Sequence, residues 1–117
     1  MIRTKRAYEP ASSEDGYRVL VDRLWPRGVS KEDARLDAWM KEVAPSDDLR
    51  EWFDHDPERW EEFGRRYREE LERAGNLVQR LLDLARQGRL TLVLASKDVE
   101  RSSAALLKAH LEQRLEA

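Results

Sequence analysis

Three segments of the chain have the residue pattern of β-strands. The run "LTLVLA", residues 90–95, is continuously apolar, as is typical of a strand buried on both faces in a parallel sheet. The run "YRVLVDRLW", residues 17–25, is also rich in β-forming residues, and "MIRTKRAY" predicts a third strand in which apolar and basic residues alternate. A turn-rich connector, residues 9–16, joins the first two strands in the chain. We therefore expect those two to form a hairpin or to lie side by side.

Helices are predicted between the second and third strands. Asp37 is expected to cap a short helix that runs to Val43 with Trp39 facing inward. Gly75 and Asn76 are expected to break or bend the longest helical pattern, before a second helical segment from Leu77 to Gln87. Polar residues that precede apolar stripes mark the other predicted helix starts: Ser30, Ser46 and Asp56.

This order of elements predicts the fold class. A last helix follows the strand at 90–95, with Ser96 or Asp98 as its expected cap. Because a long helical crossover joins the strand at 17–25 to that strand, the two are predicted to be parallel. We therefore expect an α/β fold, a single domain over residues 1–117, with a small, mostly parallel sheet of about three strands covered by helices.

Composition limits the chemistry that the chain can perform. The 117 residues include no cysteine and two histidines, which excludes thiolate nucleophiles and cysteine-based metal sites and disfavours a histidine-rich one. No metal is expected, and no particular cofactor is indicated. The formal net charge of -2 argues against a general nucleic-acid coat. Without an apolar run of about 20 residues or a signal peptide, the protein is expected to be cytoplasmic and not to bind a membrane.

Two polar stretches follow the predicted parallel strands: "DRLWPRG" and "SKD". Ligands of open parallel sheets bind at the carboxyl ends of the strands. Pro26 and Gly28 predict a bend that aims Arg27 and nearby N–H groups at one point, as an anion-binding cup would require. The candidate ligand-binding residues are Arg23, Trp25, Arg27, Gly28, Arg50 and Lys97, and the candidates for proton transfer are Asp22, His55 and Asp98.

A structural interpretation of the same residues stays open. Asp22 would then pair with an arginine, Trp25 would pack on the helices, and the Pro–Gly turn would only end the strand. Likewise, Lys97 and its neighbours would only close a strand and open a helix, and His55 would be a structural hydrogen-bonding group. Only a structure decides whether the two arginines of "DRLWPRG" are free or paired within the protein.

Three functions remain open at this point. The leading hypothesis is binding of a small ligand that bears a phosphate or carboxylate, with turnover by a hydrolase or transferase as an extension of it. The first alternative is a nucleotide- or RNA-binding module that uses the basic strand Arg3, Lys5 and Arg6. The second is an interaction or regulatory domain that acts through its helix faces. The sequence decides neither whether the protein is an enzyme nor its oligomeric state.

The motifs "DRLWPRG", "APSDDLREWF", "HDPERWEEF" and "TLVLASKD" resemble the family called domain of unknown function 488, of the YeaO-like kind, over nearly the whole chain. The resemblance implies a compact α/β protein of bacterial or archaeal type with no established reaction. The sequence departs from the family pattern at Ser102, where such proteins usually have an asparagine. The motif positions that the resemblance implies are Asp22, Arg23, Trp25, Pro26, Arg27, Gly28, Lys31, Asp37, Trp39, Lys41, Ser46, Leu49, Arg50, Phe53, His55, Tyr67 and Asp98.

Overall fold

A computed structural model describes residues 1–116 of the chain. The strands are β1 (Ile2–Arg6), β2 (Tyr17–Leu20), β3 (Ala38–Trp39) and β4 (Leu90–Leu94). The α-helices are α1 (Lys31–Ala34), α2 (Asp47–Phe53), α3 (Trp60–Arg73), α4 (Gly75–Gln87) and α5 (Ser103–Glu116). The strands form one sheet in the order β1-β4-β2-β3, and every pairing is parallel. The α/β class and the parallel pairing of β2 with β4 are confirmed, with four strands where about three were predicted.

The central position in the sheet belongs to β4. It separates β1 from β2, so the expectation that the first two strands are neighbours is wrong. All five residues of β4 are buried, and a strand of this kind is most stable with a partner on each edge and a covered layer on each face. The basic residues of β1 suit an edge strand, where charged side chains reach solvent.

Residues 38–39 form an edge strand and not the predicted helix. Trp39 is paired with Leu20 of β2, and its indole N–H donates to the Asp22 carbonyl at 2.7 Å. The ring is 38% exposed and packs edge-on against Trp25, with centroids 5.5 Å apart. The apolar spacing of this segment also fits a helix, but pairing with the open edge of β2 satisfies its backbone hydrogen-bonding groups. The only helical structure that follows within the predicted helix is a three-residue 3₁₀ turn at Lys41–Val43.

Several of the helix signals are confirmed. The side chains of Ser30 and Ser46 accept hydrogen bonds from N–H groups in the first turns of α1 and α2. Asp56 caps a 3₁₀ turn that runs directly into α3, and α4 begins at Gly75. None of the helices within residues 1–116 is both long and apolar enough to span a membrane.

One face of the sheet packs on α3, α4 and α5 and holds most of the core. Alternate residues of β1, β2 and β4 point to this side because successive side chains of a strand face opposite ways. Its fully buried members include Val19, Leu71, Leu81, Leu90, Leu92, Leu107 and Leu111. At about 25 cal/mol per Å² of apolar area removed from water, this layer supplies the main driving force for folding.

The opposite face is polar near the start of the strands and is organised by Asp15. Asp15 is fully buried, and its Oδ2 lies 2.6 Å from Nη1 of Arg18, which is 3% exposed. Lys5 Nζ lies 3.1 Å from the same carboxylate, and Thr91 donates to the Asp15 carbonyl at 2.6 Å. Burial alone would raise the pKa of Asp15, but the Ser12 N–H and the two cations outweigh it and hold the pKa below its ordinary value.

Gly16, directly before β2, is required by close packing. Its φ is +66°, and a Cβ there would lie 2.3 Å from the Arg89 carbonyl oxygen. That carbonyl accepts a hydrogen bond from Tyr17 at 3.0 Å. Any side chain at Gly16 would therefore separate the start of β2 from the start of β4.

His110 is buried between α5 and α3, at a helix position that by itself indicates no particular role. It is 8% exposed, and both ring nitrogens lack a hydrogen-bond partner among residues 1–116. Burial and the charges of Arg114 and Arg68 lower its pKa, against an opposing effect of Glu72. The ring is therefore neutral at pH 7, since an imidazolium in this position would be unpaired.

We predict that Asp15→Asn destabilises the protein by about 3–5 kcal/mol in chemical denaturation, because it leaves Arg18 buried without its carboxylate. The low pKa of Asp15 gives stability that is present above the ordinary aspartate pKa and is lost as pH falls through the folded-state value. The variant should therefore lose less stability than the wild type on acidification below about pH 4. Asp83→Asn is the control, because Asp83 forms an exposed ion pair with Arg86; an equal loss in both variants would refute the prediction.

Candidate functional site

A cavity of about 400 Å³ opens at the carboxyl ends of β2 and β4, the edge at which ligands of parallel sheets bind. Its walls come from the end of β2, from α2 and the turn after it, from the start of α3, and from the segment that enters α5. The lining residues are Asp22, Pro45, Arg50, Glu51, Phe53, Asp54, His55, Trp60, Phe63, Ser96, Arg101, Ser102 and Ser103. The structure thus brings three predicted site residues together here, namely Asp22, Arg50 and His55.

Asp22 joins the ends of β2 and β4. Its Oδ2 accepts a hydrogen bond from the Ala95 N–H at 2.8 Å, so the carboxyl group closes the sheet where the two strands separate. Burial raises the pKa of Asp22 above its ordinary value, although the Ala95 N–H and the charge of Arg50 oppose that shift. A carboxyl group in such a setting binds a proton more readily than an exposed aspartate does, and it can donate or accept one within the cavity.

Helix α2 carries one cation and one aromatic ring of the site. Ser46 begins the helix and is itself fixed by Glu70 of α3, which accepts from its N–H at 2.8 Å and its hydroxyl at 2.6 Å. Arg50 and Phe53 are three residues apart and so lie on one face of the helix. The Arg50 guanidinium is 44% exposed and lies 3.2 Å from Asp47, an exposed pair that leaves it available to a ligand.

The turn after α2 holds His55 at the cavity by an unusual backbone. Asp54 and His55 both have positive φ, +46° and +53°, a conformation that non-glycine residues adopt only when their surroundings impose it. The His55 ring lies 6.3 Å from the Phe53 ring, centroid to centroid. His55 is exposed, so its ring is accessible both to solvent and to a molecule bound in the cavity.

Aromatic rings form the apolar wall of the cavity. Phe53 stacks on Phe63 with centroids 4.4 Å apart and planes 22° apart, and Phe63 stacks in turn toward Tyr67 at 6.2 Å and 20°. Trp60 lies 5.9 Å from Phe53. The Tyr67 hydroxyl donates to the Val43 carbonyl at 2.7 Å. That bond fixes the inner end of the stack.

The entry to α5 contributes Arg101, Ser102 and Ser103, which the sequence did not point to as ligand-binding residues. The cap of α5 is Ser102 and not the predicted Ser96 or Asp98: its hydroxyl accepts from the Ala105 N–H at 3.1 Å and donates to the Val99 carbonyl at 2.6 Å. This is a role that an asparagine would also fill. The helix dipole adds partial positive charge at this end of α5.

Asp98 and Lys97 do not line the cavity. Asp98 accepts a hydrogen bond from the Arg101 N–H at 3.2 Å, which orders the turn before α5. Lys97 is exposed. Asp98 thus acts as a local structural residue that positions Arg101.

Most of the "DRLWPRG" segment serves the fold. Arg23 donates to the carbonyls of Pro45 and Ala44 at 3.2 and 3.1 Å, so its guanidinium fastens the chain before α2. The Trp25 indole N–H donates to the Val29 carbonyl at 2.7 Å. Its ring packs in a small apolar cluster on the face of the sheet opposite the main core. Arg27 is exposed and, like Trp25, lies outside the cavity.

Gly28 has the positive φ that the bend was predicted to need, at +81°. It lines a different, open depression near Tyr8 and Arg35. The bend that was predicted to aim Arg27 at an anion therefore lies outside the cavity, and the arginines that line the cavity are Arg50 and Arg101.

The basic strand β1 is largely engaged within the protein. Lys5 and Arg3 face Asp15, at 3.1 and 3.6 Å. Arg6 donates to the Ser96 and Ala95 carbonyls at 3.0 and 3.3 Å, which fastens the end of β1 to the chain after β4. Fewer cations of this strand are left for phosphate groups than the nucleic-acid alternative requires.

The cavity carries charges of both signs. Two guanidinium groups face three carboxyl groups, those of Asp22, Glu51 and Asp54. Glu51 and Asp54 are exposed and are screened by water. Over residues 1–116, no group of three or more His, Asp or Glu side chains is placed to hold a metal ion.

Comparisons with known proteins agree with the resemblance. A family model described as "Inactive DUF488-N3 subclade" matches residues 1–117. An uncharacterised protein of Mycobacterium tuberculosis (strain H37Rv) is 47% identical over 113 residues, which cover 97% of this chain and 95% of that protein. The uncharacterised protein YeaO of Escherichia coli (strain K12) is 42% identical over 106 residues, or 91% and 92% of the two chains. No solved structure matches the chain.

The two arginines of "DRLWPRG" should behave differently on substitution. We predict that Arg23→Gln lowers stability by about 1–3 kcal/mol, because its charged donors satisfy two carbonyl groups. Arg27→Gln should change stability by less than about 0.5 kcal/mol, as expected for an exposed side chain. Urea denaturation of both variants tests this, and a loss that is as large for Arg27→Gln would contradict it.

Proposed function

The chain belongs to the DUF488 family, in the subclade described as inactive DUF488-N3, and on that premise we propose that it is a binding domain for a small anionic ligand. The ligand occupies the cavity at the carboxyl ends of β2 and β4. Its phosphate or carboxylate group binds to Arg50 and Arg101 and to the first turn of α5. Binding without turnover is favoured by the word "inactive" in the family description.

One observation carries this proposal: two guanidinium groups from separate elements line the same cavity, beside the amino end of a 14-residue helix. Charged hydrogen bonds from guanidinium to phosphate or carboxylate are strong and directional. The cavity volume of about 400 Å³ also falls in the range of small-molecule sites. Asp22, whose pKa is raised by burial, supplies a group that changes the charge of the site with pH.

We predict that a panel of small phosphates and carboxylates, screened by thermal shift, contains anions that raise the melting temperature. By isothermal titration calorimetry, Arg50→Gln and Arg101→Gln should each weaken such binding about 10- to 100-fold, the worth of a charged hydrogen bond. The matched control is Arg86→Gln, because Arg86 forms an exposed pair on α4, away from the cavity.

The proposal fails if no anion stabilises the wild type. It also fails if Arg86→Gln weakens binding as much as the cavity variants do, since that would indicate a nonspecific charge effect.

Anion binding should tighten as pH falls, because the ionised Asp22 carboxylate repels an anionic ligand and its protonated form does not. The raised pKa of Asp22 means that it becomes protonated at a higher pH than an ordinary aspartate does. We predict that benzenesulfonate, whose charge is constant over this range, binds more tightly at about pH 4.5 than at pH 7. Asp22→Asn should bind as tightly at pH 7 as the parent does at the lower pH. Both proteins are compared in a His55→Gln background, so that no histidine lines the cavity, and an equal pH dependence with and without Asp22 would contradict this role.

A further inference from the structure

The aromatic wall of the cavity selects among anions. Phe53 and Trp60 are only partly buried, although each packs against the main core, and both line the cavity. If these two rings served folding alone, they would be expected to be completely buried, since each has a large apolar area. Their remaining exposed surface faces the same space as the two guanidinium groups.

The rings are ordered as a stack. Tyr67, Phe63 and Phe53 follow one another with planes tilted by only 20° and 22°, and Phe53 is the member that lines the cavity together with Trp60 and Phe63. The inner end is fixed by the hydrogen bond of Tyr67 to the Val43 carbonyl at 2.7 Å. A stack that is rigid at one end and ends at a cavity is a preorganised surface for one more flat ring.

The distance between ring and charge limits the ligand further. Arg50 and Phe53 lie three residues apart on α2, and side chains with this spacing have Cβ atoms about 5–6 Å apart on one face of a helix. One small ligand can therefore contact both side chains, and a planar ring with its anionic group attached directly or through one or two atoms has the size to do so.

We propose that the ligand is an aromatic anion, a planar ring bearing one carboxylate or phosphate close to it. The ring stacks on Phe53 and packs at an angle against Trp60, whose plane is tilted 50° from that of Phe53, and the anionic group binds to Arg50 and Arg101. This inference rests on the proposed anion-binding function and names the chemical class of its ligand.

Titration calorimetry with carboxylates of equal charge tests the proposal. Benzoate should bind about three- to tenfold more tightly than cyclohexanecarboxylate, which has similar size and no π-face. Acetate should be weaker than both. The neutral analogue benzyl alcohol and the cationic benzylamine should each bind at least about tenfold more weakly than benzoate, since both lack the charged contacts to arginine.

Two tryptophan variants form a matched pair. Trp60→Leu should reduce the preference for benzoate over cyclohexanecarboxylate, because the ligand ring loses its contact with Trp60. Trp52→Leu should keep it, because Trp52 is likewise partly buried against the core but lies under Arg59 and Arg66, outside the cavity. Both variants lose an indole, so a general loss of stability would affect both. In a ¹H–¹⁵N spectrum of the wild type, benzoate should also shift the indole resonance of Trp60 more than that of Trp52.

Each contrary result has a separate meaning. Equal affinities for benzoate and cyclohexanecarboxylate would overturn the aromatic assignment and leave the anion site standing. Tighter binding of benzylamine than of benzoate, or no binding of any anion, would overturn both proposals. A preference for benzoate that Trp60→Leu and Trp52→Leu change equally would place the ligand outside this cavity and overturn the assignment.

Discussion

The parallel pairing of β4 with strands on both of its edges fixes the arrangement of this protein. Parallel strands share one direction, so the chain leaves β1, β2 and β4 at a common edge and must pass over or under the sheet before it returns. The Asp22 carboxyl group accepts from the Ala95 N–H at that edge. Together with the hydrogen bond from the Val21 N–H to the Val93 carbonyl at 3.0 Å, this contact joins the ends of the two strands from which the cavity opens.

Two aspartates near β2 show how their surroundings shift the pKa of a carboxyl group in opposite directions. Asp15 is fully buried, but two cations and a backbone N–H stabilise its charge and lower its pKa. Asp22 accepts a hydrogen bond from one backbone N–H and lies near the positive charge of the exposed Arg50. Both lower its pKa, but burial raises the pKa by more, so the net shift is upward. A raised pKa in a cavity is the usual mark of a carboxyl group that interacts with a ligand or a proton, and a fully paired carboxylate is the usual mark of a fixed core.

Three arginines near the sheet serve the backbone. Arg6, Arg18 and Arg23 each donate to main-chain carbonyls, where a planar group with five N–H donors can satisfy two acceptors at once. Such carbonyls lie in loops that no sheet or helix ladder reaches. The cations that line the cavity come instead from α2 and from the segment before α5, at Arg50 and Arg101.

The sequence alone determined the α/β class, the buried strand at 90–95 and several helix caps, since these follow from local hydrophobic periodicity and cap chemistry. It also indicated the end of β2 as part of a candidate site. It also pointed to Asp22, Arg50 and His55, which the fold places around one cavity. It did not determine that β4 lies between β1 and β2, that residues 38–39 form a strand, or that Arg23 is bound to carbonyls of residues 44–45. Those facts depend on contacts between residues far apart in the chain, which only the tertiary structure brings within hydrogen-bonding distance.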